Sequence, residues 1–95
     1  MNQHEFEAAL KAENYPETVN ISKEVGYQMH EHAHAFDAYA LILQGDITLI
    51  VDGVATTYQT GDTFRLAAHT PHEESAIPHG VSYLVGRRRE STLPT

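Results

Sequence analysis

The chain contains no cysteine, so no disulfide can staple it, and thiol usage gives no hint of its redox compartment. Cations are scarce: 6 lysines and arginines stand against 13 aspartates and glutamates, for a formal charge of −7. Phosphate-backbone binding needs a basic surface, so this imbalance argues against nucleic acid as a partner. Long apolar runs are missing too, and nothing in the sequence is built to span a bilayer. The opening Met1–Asn2–Gln3–His4–Glu5–Phe6–Glu7 has neither the positive start nor the apolar stretch of an export signal. A soluble cytoplasmic protein is the expectation. A length of 95 residues makes one domain, residues 1–95. A domain this small buries only about two-thirds of the surface its unfolded form exposes. A bound metal, a partner subunit or both would supplement so thin a core.

Residues 3–12 read as a short helix. Asn2 can cap it, Glu5 completes a capping box, and Phe6 and Leu10 share one face. Tyr15–Pro16 ends it. Val19 and Ile21 then alternate with Asn20 and Ser22, as in a half-buried strand. Turn signals follow at nearly even intervals: Gly45–Asp46, Asp52–Gly53, Thr60–Gly61–Asp62, His69–Thr70–Pro71 and Pro78–His79–Gly80. Such punctuation predicts many short antiparallel strands, hence an all-β sandwich or barrel. The strands are expected at Glu24–His34, Phe36–Leu43, Ile47–Val51, Val54–Gln59, Thr63–Leu66, His72–Ile77 and Val81–Arg87. Asp52–Gly53 is a two-residue hairpin signal. The Arg87–Arg88–Arg89 run reads as a solvated strand exit ahead of Glu90 and a Ser/Thr/Pro tail, with an anion-binding role as the sharper alternative.

What the chain has in quantity is histidine, 7 in all. His32 and His34 lie one residue apart in an expected strand, so both project from one face. His72 follows a proline turn downstream. Three imidazoles converging from neighbouring strands suit a zinc, copper, iron or nickel ion. The plainer reading is three polar side chains bonded to carbonyls and water inside a barrel. His30 shares the face one step further out, lining the mouth or replacing a ligand. His4 and His79 read as surface residues. Phe36, Ala38, Ala40 and Ile42 would line the interior, while Tyr39, Leu41 and Leu43 pack outward against the N-terminal segment or another subunit. That outward row predicts a homodimer formed sheet to sheet.

At Gly26, His32, His34 and Gly45 the chain resembles the first motif of the cupin family, with the Asp52–Gly53 hairpin following. Gly61 and His72, with the start Gly61–Asp62–Thr63–Phe64, resemble the second. The resemblance covers Gly26 to about Ala76 and implies a small jelly-roll barrel, a motif-bearing core at residues 24–88 and a short N-terminal helix. Departures bear on the chemistry. The glutamate of the first motif would stand at Ala38, which leaves a methyl group where a fourth ligand is usual. Asp37 beside it points out of the barrel by alternation and could join the metal only through a bulge. In the second motif Ala67, His69 and Ala76 replace proline, glycine and asparagine. His69 would then either fill a left-handed turn position or lean over the site as an acid–base group. Glu74 shares the parity of His72. It could orient a ligand imidazole by accepting its second N–H, or end in solvent.

The resemblance implies a divalent transition metal (iron, zinc, nickel or manganese) on His32, His34 and His72, with a small molecule bound at it. An iron-dependent dioxygenase acting on a thiol or β-dicarbonyl is one implied activity, since some cupin-like enzymes use three-histidine iron sites. Lewis-acid chemistry with another ion is a further one. A non-enzymatic metabolite sensor and a barrel whose metal serves only stability are the alternatives from other classes.

Overall fold

A computed structural model describes residues 1–89, so the acidic and Ser/Thr/Pro tail expected after Arg89 lies outside the described residues. Asn2 starts the helix α1, Gln3–Ala12, in the anticipated manner. Its Oδ1 accepts from the Glu5 amide at 2.8 Å, and Glu5 Oε1 accepts from the Asn2 amide at 3.1 Å. Seven strands follow: β1 Glu17–Lys23, β2 Tyr27–His32, β3 Phe36–Val51, β4 Val54–Gln59, β5 Thr63–Leu66, β6 His72–Ala76 and β7 Val81–Arg89. The result is an all-β barrel fold with one short N-terminal helix. Among the described residues no helix is long and apolar enough to cross a membrane.

β3 organises the molecule. Its first part pairs antiparallel with β7 on one side and β5 on the other; its second part pairs with β6 and β4. β1 continues outward from β7, and β2 from β6, so two sheets share one long strand. The expected turn at Gly45–Asp46 is absent, because β3 runs straight through it. Ile42 faces Tyr83 and Gln44 faces Ser82, so Leu43 is an extra residue in a bulge. The bulge switches the buried parity from Ala38, Ala40 and Ile42 to Ile47 and Leu49. Gly45 has φ +76°, and a Cβ there would collide with the Gly80 carbonyl oxygen. Close approach, not chain reversal, is what this glycine permits. At the Asp52–Gly53 hairpin both residues do have positive φ, +51° and +76°, and Val51 pairs with Val54 as predicted.

The apolar residues form two clusters. One fills the space between the sheets, with Ala38, Ile42, Ile47, Phe64, Tyr83 and Val85 among its members. The other lies under α1, where Phe6 and Leu10 cover Tyr39, Leu41 and Leu84. The outward Tyr39–Leu41–Leu43 row thus packs against the chain's own helix, the first of the two neighbours expected for it. Glu13 fixes the end of α1: its carboxylate accepts from both Arg65 Nη atoms at 2.8 Å, and its carbonyl accepts from Arg88 Nη1 at 2.7 Å.

Candidate metal centre

β2 ends at His32, two residues short of the predicted strand end at His34, so His34 lies in the connection to β3. Pairing with β6 is irregular between Met29 and His32: Met29 faces Glu74, and after the break His32 faces His72. This slip decides which histidine turns inward. His30 loses the shared face and is exposed. It contributes its carbonyl instead, which accepts from His32 Nδ1 at 2.8 Å. His72, 1% exposed, makes the same bond from Nδ1 to the Thr70 carbonyl at 2.9 Å. The His34 ring stacks on Phe36 with centroids 4.9 Å apart, and it lies 4.9 Å from the His32 ring and 5.3 Å from that of His72. The three predicted histidines are brought together.

Glu74 completes the group. Sequence reasoning set it behind an imidazole or in solvent; it is buried and faces the same nitrogens the ion would. Its Oε2 stands 3.0 Å from His32 Nε2 and 3.1 Å from His72 Nε2, while Oε1 accepts from the Tyr27 hydroxyl at 3.0 Å. Ligand atoms of His32, His34, His72 and Glu74 all lie within 4.8 Å of one another. The carboxylate missing at Ala38 is therefore supplied from β6. Inward alternation of His72, Glu74 and Ala76 along that strand was its signal.

A backbone carbonyl can only accept, so Nδ1 of His32 and of His72 must each carry a proton. In the neutral rings Nε2 is then a bare lone pair, and two of these face a carboxylate oxygen. That arrangement repels unless protons or a metal ion stand among the three atoms. A metal ion satisfies it: ligands about 2.1 Å from one centre stand roughly 3.0–3.4 Å apart. Burial, and then the neighbouring His32 and His72, push the His34 ring below its ordinary value, which favours the neutral, ligating form. The Tyr27 hydroxyl is pushed up to about 12, by burial first and Glu74 second, so it remains a donor to the carboxylate.

The other candidates separate cleanly. Asp37 is not a ligand: its Oδ1 accepts from the Ala68 amide at 2.9 Å and its Oδ2 from Arg88 Nε at 3.1 Å, on the outside of the sheet. The Ala68 amide, with Arg88, also holds its carboxyl below the usual range. His69 is exposed with φ +66°, the left-handed turn position, and its amide donates to the His34 carbonyl at 2.7 Å. Phe36 and Ala38 do line the site, in a cavity of about 40 Å³ shared with His34, His72 and Glu74. Arg87 was missed. The inward series Val81, Tyr83, Val85 reaches it at the next odd position, and its guanidinium lies 4.9 Å from the Phe36 ring centre. Arg88 points to the helix side and Arg89 to solvent, so the basic run is not one solvated exit.

Residues 20–81, more than half of the chain, match the model of the cupin domain. The chain belongs to the cupin family. Among solved structures, this cupin is similar to an RmlC-like cupin from Shewanella frigidimarina, at 26% identity and a TM-score of 0.64 over 74% of this chain and 62% of that one. It spans less than two-thirds of that protein's length. KdgF from a Halomonas species is 25% identical, with a TM-score of 0.62 over 80% of this chain and 72% of that one. An oxalate decarboxylase variant from Bacillus subtilis shares the fold, at 22% identity and a TM-score of 0.67 over 80% of this chain and 22% of that one. No curated protein sequence matches the chain.

Proposed function

We propose that this cupin holds one divalent transition metal through His32, His34, His72 and Glu74 and binds a small molecule beside it. One observation carries the reading: two imidazole Nε2 atoms converge on one buried carboxylate oxygen at 3.0 and 3.1 Å, a spacing that a single cation at their centre accounts for. Three imidazoles and one carboxylate suit manganese, iron, nickel or zinc. Bacillus subtilis oxalate decarboxylase, similar in fold, has Mn(II) centres, so manganese belongs among the ions to test. The bound ion would supply Lewis-acid polarisation of an oxygen on the small molecule. The chain's own residues set that centre up. The His30 and Thr70 carbonyls fix the ring tautomers, Tyr27 orients Glu74, and Phe36 walls off one side of His34.

The iron-dependent dioxygenase reading was framed on three histidines alone; with Glu74 in the group it is tested by oxygen uptake of the iron-loaded protein with thiols and β-dicarbonyls. A binder and a Lewis-acid enzyme share the same centre. The test is metal analysis of untagged protein, followed by titration with Mn(II), Fe(II), Ni(II) and Zn(II). About one ion per chain, lost in His72→Ala, is the expected result. Stoichiometry that stays far below one, or survives His72→Ala, overturns the proposal.

A further inference from the structure

Arg87 carries a second message about the same site. Its Nε is buried and has no hydrogen-bond partner among the described residues, a situation that native chains rarely tolerate without a ligand, ion or water to meet the donor. Among the described residues the one carboxylate paired with it, on the 62% exposed Glu17, stands 3.9 Å from Arg87 Nη1, too far for a hydrogen bond. Arg88, next in the chain, is by contrast committed to Asp37 and to the Glu13 carbonyl. Arg87 also stands at a junction. It lines the small cavity beside His34, His72 and Glu74, and with Phe36 and Arg89 it lines an outer groove of about 440 Å³.

We propose that Arg87 receives the carboxylate of a small organic acid that enters through the outer groove and presents its other end to the His32–His34–His72–Glu74 centre. Only that second end rests on the metal reading above. The Nε–H and Nη–H fork of a guanidinium matches the two oxygens of a carboxylate, and its charge complements the anion. The Phe36 ring beneath the guanidinium helps fix the plane of the fork. The inner cavity of about 40 Å³ admits only a few heavy atoms, so the acid is short on the metal side and extends, if at all, into the arginine-lined groove.

The probe is malonate, with malonamide as the uncharged analogue and inorganic phosphate and sulfate as competing anions. Nitrogen-15 NMR of the arginine Nε–H groups reads the contact directly in the unsubstituted protein, with and without metal, and calorimetry reads affinity. Malonate is expected to move the Arg87 Nε–H resonance to saturation, and malonamide to leave it in place. Arg87→Gln should bind malonate at least about tenfold more weakly, with Arg87→Lys recovering part of the loss. An equal response to malonamide, an equal or larger one to phosphate or sulfate, or unchanged malonate affinity in Arg87→Gln overturns the carboxylate site. A chain that takes up metal but whose Arg87 resonance ignores malonate sinks this proposal alone. A chain that takes no metal yet still shows the malonate shift sinks the metal reading alone.

Discussion

Glu74 is the residue on which the chemistry of the centre turns, because it is the only carboxylate in the cluster of candidate ligands. Glu74→Gln keeps the shape and an acceptor for the Tyr27 hydroxyl but deletes the charge. Metal affinity should fall by on the order of 10–100-fold in competition with a chromogenic chelator. The metal-free melting temperature should not drop, since an amide N–H can donate to an imidazole lone pair where the carboxylate could not. Tyr27 shares the alkaline behaviour with Tyr83, whose hydroxyl burial also pushes up. Folded, the Tyr27 hydroxyl keeps the proton up to about 12, whereas the unfolded chain releases it near 10. Above about pH 10 the unfolded state therefore binds fewer protons, and stability falls as pH climbs toward 12. Tyr27→Phe should remove its share of that fall, and Tyr83→Phe the rest, in urea unfolding compared at about pH 9 and about pH 11. Acid works through Asp37, His34 and Glu13: all are shifted down, so the unfolded chain takes up their protons first and stability falls with pH. At this scale the sequence shows the three histidines, through spacing and alternation. It points Asp37 outward for the right reason. It hides Arg87, because a run of like charges at a strand end looks solvated until the strand's inward parity is carried through it.

Among the elements, β3 is the longest and the least expected. A glycine–aspartate pair signals a turn in most strand-rich chains, and the same two residues are what a bulged strand needs where another backbone crosses at van der Waals range. Only the neighbouring Gly80 carbonyl distinguishes the two cases, and it lies 35 positions away in the sequence. Gly45→Ala should therefore cost roughly 3 kcal/mol or more, from the positive φ and the collision with backbone together, read as a lower urea midpoint. Asn2→Ala, which opens the capping box, should cost about 1 kcal/mol by the same measurement. The strands at Val54–Gln59 and Thr63–Leu66 match their predicted bounds, because hairpin chemistry marks them locally. The slip between Met29 and His32 had no local mark, and with it went the placement of His30.

For the molecule as a whole, a thin core and a cation-seeking cluster make stability and occupancy one question. An ion at about 100 times its dissociation constant adds about 2.7 kcal/mol, which for a domain this size is roughly 10–20 °C in melting temperature. Chelation should reverse the gain, and His72→Ala should abolish it. The barrel was legible from the rhythm of its turns; the covering of its outer face by α1 was one of two readings, since an apolar row looks alike under a helix or a neighbour. β2 has a consequence of its own. Among the described residues it is fastened along one margin only, to β6, and that seam is broken beside His32. It is the strand best placed to peel back, and peeling it would uncouple His32 from His72 and Glu74. An ion seated there would rivet the seam shut. Amide exchange along Tyr27–His32 should slow most on loading, while β3 and β7 change little; uniform slowing would mean that the ion enters by another door.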